Sequence, residues 1–141
     1  PMFDVWKSRR TDIEKIADEV SRRVFLILAF PRSLYENIPN SLIESDYVVG
    51  YHFMIALNSY IELSKEKTDV EAQGLVLAQA LSAAFGIDGV EVSERLLPMI
   101  QNPSVEFERG ASDANNAYDM ILENNSDAFL EFNNNIRHLY R

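Results

Sequence analysis

Cysteine is absent from the 141 residues. That excludes disulfides, thiolate nucleophiles and cysteine-ligated metals, and it fits the reducing cytoplasm, which is the expected compartment. Histidine is scarce, at two residues. Helical metal sites usually carry a Glu-x-x-His pair that sets two ligands on one helix face. Here Val49 stands three residues before His52 and Asn135 three before His138, so neither a metal nor a cofactor is expected. The glycines are few and scattered: Gly50, Gly74, Gly86, Gly89 and Gly110. They form no phosphate-cradling loop and no G-x-S-x-G elbow. Carboxylate pairs such as Glu91 with Glu94 or Glu106 with Glu108 read as solvated faces, so the chain is expected not to be an enzyme.

Positive charge is the next shortage. Residues 1–32 hold seven Lys/Arg against five Asp/Glu, while residues 33–141 hold six against seventeen, a balance of −11 within a net −9. Nucleic-acid binding draws on a basic surface that displaces counterions, so it is not expected. An acidic body instead suits a basic protein partner. The N-terminus, PMFDVWKSRR, has no apolar stretch of signal-peptide length. Phe3 and Trp6 beside Lys7, Arg9 and Arg10 could touch an anionic membrane, but the segment is short. It is read as a flexible lead-in, residues 1–10, whose aromatics close one end of the core.

Long apolar runs are lacking too, with one near exception. Tyr47–Leu63 carries no formal charge over its first fifteen residues. Seventeen residues without proline suit a helix of about 25 Å rather than a strand. His52, Asn58 and Ser59 interrupt it, and Glu62 and Lys65 close it, so a membrane span is not expected. Its apolar residues point all round the wheel, so it must be covered on most sides. Either the rest of the chain or a second subunit would do this, which leaves a homo-oligomer open.

Around this run the pattern predicts an all-α, compact single-domain bundle of five or six helices, spanning 1–141, with 47–63 buried at its centre. Thr11 and Glu14 form a capping box that opens a helix over 11–30, with Ile13, Ile16, Val20, Val24 and Ile27 inward and Pro31 as its stop. Ser45 or Asp46 caps the central helix. Thr68 and Glu71 open the next, which ends at Phe85 with Gly86 as a left-handed cap. Its inner face is read as Val70, Gly74, Leu77, Ala78, Leu81 and Phe85. Its small residues are expected to meet Gly50 and Ala56 in the tightest packing of the fold. Further helices follow over 91–100, complicated by Pro98, over 104–123, and after Asn125 or Ser126, with Phe129, Phe132, Ile136, Leu139 and Tyr140 inward.

Two functions are compatible with this pattern. The first is a non-enzymatic interaction module, an adaptor, inhibitor or neutralising partner, working through an acidic helical surface. The second is a small-molecule binder or enzyme with a pocket beside His52, lined by Tyr47, Tyr51 and Asn58, a polar patch in an apolar core. The competing reading of His52 is a neutral core histidine bonded to a backbone carbonyl.

Overall fold

The structure, a computed structural model, describes residues 2–65 and 69–140, with side chains from residue 12 onward. It is a helical bundle, with no strand among the described residues. The long helices are α1 (Met2–Phe25), α4 (Asp46–Leu63), α5 (Val70–Phe85), α8 (Val105–Leu122) and α9 (Ser126–Ile136). Shorter pieces connect them: α2 (Ala29–Leu34), α3 (Asn40–Ile43), α6 (Gly89–Glu91) and α7 (Leu97–Gln101). No single described helix is long and apolar enough to cross a membrane.

Local chemistry sets most boundaries. The Ser45 hydroxyl accepts from Val48 N at the start of α4, Asp69 does the same for Ala72 N in α5, and Asn125 for Asp127 N in α9. Gly86, at φ 67°, closes α5 in the left-handed region that glycine tolerates. The cap of α5 is thus Asp69 rather than the expected Thr68, which itself lies outside the described residues, as do the side chains of Phe3 and Trp6.

Two boundaries differ from expectation. The first helix begins at Met2 rather than Thr11, because the helix-compatible stretch before Thr11 continues the same winding and a capping box only offers a start. Pro31 does not end the helical path either. It sits in the first turn of α2, where its missing N–H is not needed, and the path breaks upstream at Leu28. Pro98 likewise falls in the first turn of α7, after one wide turn over Val92–Leu96.

Arg32 ties these pieces together. Its guanidinium stacks on the Phe25 ring at 3.6 Å and donates to the carbonyls of Phe25 and Ala84, at the carboxyl ends of α1 and α5. A cation there meets the negative ends of two helices. Arg32→Met keeps the stem and removes the charge, and is expected to cost about 2 kcal/mol. Urea unfolding midpoints indistinguishable from wild type would show that the tie contributes nothing.

The core centres on α4, where Val48, Val49, Ile55 and Ala56 are fully buried. Its most extensive contact is with α8, not α5. Asp46 meets Ser104, Asn58 meets Asn115 and Glu62 meets Tyr118, in the same order along both helices, so α4 and α8 run parallel. The helices touch backbone to backbone. A Cβ on Gly50 would lie 2.2 Å from the Phe107 carbonyl oxygen, and one on Gly110 2.1 Å from that of Tyr47. The expected packing of Gly50 against the small residues of α5 is therefore corrected: its partner is α8. The inner face of α5 keeps Leu77, Leu81 and Phe85 of the expected set but shifts away from Val70 and Gly74. Ala72, Val76, Leu77, Ala80, Leu81, Ala84 and Phe85 are buried, while Gly74 is exposed and Val70 is 84% exposed.

Candidate functional site

The parallel crossing of α4 and α8 carries Tyr47 to Asp113, one turn beyond Gly110. The Tyr47 hydroxyl donates to Asp113 Oδ2 at 2.7 Å and accepts from Asn135 Nδ2, on α9, at 3.1 Å. One turn along α4, Tyr51 is 2% exposed, its ring centroid 4.5 Å from that of Phe132. Tyr47 and Tyr51 line a cavity of about 100 Å³ together with Asp113, Asn116 and Met120 of α8 and Glu131, Phe132 and Asn135 of α9. Asp113 is half-buried, and Asn116 and Glu131 are exposed at its margin.

Negative charge predominates at this cavity, with Arg109 and the bond from Asn135 opposing it at Tyr47. Burial, reinforced by the bond to Asp113, pushes the Tyr47 phenol well above its ordinary value. Burial does the same to Tyr51, with Tyr47, Glu131 and Asp113 adding to the rise. Both phenols stay neutral and feel negative charge. Arg109 stands over the Tyr47 ring at 4.7 Å and is bound to Glu106 at 2.7 Å.

His52 and Asn58 lie elsewhere. His52 is fully buried, with its ring 4.8 Å from Phe85 and 5.9 Å from Phe132. Its Nδ1 lies 2.7 Å from the Val48 carbonyl and its Nε2 has no partner among the described residues. The neutral ring that donates from Nδ1 satisfies this arrangement. Asn58 bonds Asn115 at 2.7 Å, on the α4–α8 seam. So two of the four residues singled out from sequence, Tyr47 and Tyr51, share a cavity, and the other two do not join it. Asp113, Glu131 and Asn135 were not singled out, and no local pattern marks them, since they meet Tyr47 and Tyr51 only through tertiary packing.

No family model, curated protein or solved structure matches this chain. The site therefore has to be read from its own chemistry. No group of three or more His, Asp or Glu placed to hold a metal occurs among the described residues. A wider groove of about 450 Å³ opens at the amino ends of α4 and α8, between Asp46, Glu106, Arg109 and His138. Its charges are spent internally: Arg109 pairs with Glu106, and Asp46 accepts from the Ser104 hydroxyl.

Beyond the cavity, the outer surface of α8 and α9 is acidic. Residues 104–140 contain seven Asp/Glu and two Arg. Glu108, Asp119, Glu123, Asp127 and Glu131 are exposed, and none has an ion-pair partner among the described residues. At about 100° per residue, Glu108, Asp119 and Glu123 fall within roughly 60° of arc, which makes one stripe.

Proposed function

We propose that this chain is a non-catalytic interaction module that presents the acidic α8–α9 surface to a basic protein partner. The observation that carries this reading is the placement of Asp119 and Glu123. They stand at the carboxyl end of α8, which has no basic residue in its last turn. Carboxylates there oppose the helix dipole, and their spacing of four adds like-charge repulsion. Nothing among the described residues neutralises them. A cationic partner would relieve that repulsion on binding and be steered towards the stripe from a distance.

This makes stability and binding move in opposite directions. Asp119→Asn with Glu123→Gln should stabilise the isolated chain by about 0.5 kcal/mol per site, because an unfavourable dipole interaction is removed. The same pair of changes should weaken the partner complex, and Asp119→Lys with Glu123→Lys should abolish it. Charge reversal at Glu36, exposed in the connection after α2, and at Glu71, exposed on α5, serves as the control. A complex that survives reversal of the stripe as well as it survives the control would refute the reading.

A further inference from the structure

We infer that the cavity between α8 and α9 is a receptor for a primary alkylammonium group, supplied by a lysine side chain of the partner that docks on the acidic surface. This deepens the reading above and rests on it.

The cavity offers a floor of aromatic carbon and a rim of anions. Tyr51, Phe132, Ala117, Met120 and Ala128 line it with apolar surface, which suits a methylene chain. Its volume of about 100 Å³ is of the order of a lysine side chain beyond Cβ. It is far below the several hundred Å³ of most small-molecule pockets.

Three acceptors come from three helices: the Tyr51 hydroxyl on α4, the Asp113 carboxylate on α8 and the Glu131 carboxylate on α9. An ammonium has three donors and no preferred plane, so acceptors on different sides match it. A guanidinium, with its planar fork, is better served by a single carboxylate approached edge-on.

The Tyr51 hydroxyl is the observation that makes this more than an acidic cluster. The Tyr51 side chain is 2% exposed, and its hydroxyl, which makes no hydrogen bond to a described residue, is not sealed in the core but open at the cavity. It lines the cavity and feels the negative charge of Glu131 and Asp113. Tyr47, by contrast, is fully engaged by Asp113 and Asn135, and holds the Asp113 carboxylate in place at the cavity wall. Arg109 stands over the Tyr47 ring rather than among the lining residues, and its charge is shared with Glu106.

The test uses the full chain, with end-blocked Gly-Lys-Gly, its Nε-acetylated counterpart and free butylammonium as probes at fixed ionic strength, read by NMR shifts of the Tyr51 and Phe132 rings. The lysine peptide and butylammonium are expected to give saturable shifts, and the acetylated peptide none. Glu131→Gln and the near-isosteric Tyr51→Phe should each weaken the lysine peptide about tenfold, the loss of one hydrogen bond to a charged group, while Asp119→Asn with Glu123→Gln leaves this short probe unaffected. Equal binding of the acetylated peptide, or of the lysine peptide by Tyr51→Phe and Glu131→Gln, overturns the pocket. If the partner complex is still lost on reversing Asp119 and Glu123, the acidic-surface reading then stands without it. Binding of butylammonium but not of the peptide assigns the cavity to free amines and overturns its role in docking.

Discussion

Alanine at Gly50 or at Gly110 is expected to destabilise the fold by about 3 kcal/mol or more, as overpacking does when the neighbour cannot give way. A new Cβ at either position would meet a backbone carbonyl oxygen at 2.2 or 2.1 Å. A side chain could rotate aside, but a helix backbone has to move as a body. The intrinsic gain of about 1 kcal/mol for alanine over glycine within a helix is too small to reverse the sign. Gly74 provides the opposite case. Among the described residues nothing lies within 4 Å of a Cβ built there, so Gly74→Ala should stabilise by about 0.5–1 kcal/mol. Chemical unfolding of the three single variants decides the matter, and a Gly110→Ala protein as stable as Gly74→Ala would mean that α4 and α8 do not touch at these residues. The same crossing brings Tyr47 to Asp113, so the Gly110→Ala chain should also lose affinity at the cavity.

The second large effect belongs to His52. Burial holds its pKa down to about 4, from an ordinary 6.5, with the nearby Arg32 adding to the depression and the Val48 carbonyl opposing it. Between those two values the unfolded chain binds a proton that the folded chain refuses. Stability contributed by this residue is therefore complete above about pH 6.5 and falls as the pH drops towards 4, by on the order of 3 kcal/mol. The groups facing the ring are Phe85, Phe132 and the Val48 carbonyl, and none of them offers a countercharge for an imidazolium. His52→Leu, similar in volume, should flatten that part of the pH profile. It should cost little at neutral pH, because it also removes the unpartnered Nε2. Equal slopes for the two proteins across this range would mean that His52 does titrate while folded.

The central helix and Gly50 mark how far the sequence alone is legible. The buried central helix was legible because fifteen consecutive uncharged residues leave little else to build. The caps at Ser45, Asn125 and Gly86 were legible because capping depends on residues within a few positions of one another. The mate of Gly50 was not, because a glycine shows that something approaches closely but not which helix does so. The face of α5 was misread for a related reason. VEAQGLVLAQALSAAF is apolar on nearly every side, so its weak periodicity could not set the rotation, and Val70 and Leu75 stay exposed while Ala72 and Val76 go inward. At the site, Tyr47 and Tyr51 stand one turn apart and could be paired from spacing alone. Asp113 lies 66 residues beyond Tyr47 and Asn135 88, and only the parallel path of α8 and the return of α9 bring them together.

The central proposal is that the acidic α8–α9 surface meets a basic protein. Native mass spectrometry of the protein, isolated gently from its own source cells, is the most direct test. The predicted result is a stoichiometric complex with a basic protein that dissociates as ionic strength rises and fails to form with Asp119→Lys and Glu123→Lys. The contradicting result is the chain alone, carrying an added mass of a few hundred daltons, or a complex indifferent to both salt and the reversal of those two carboxylates.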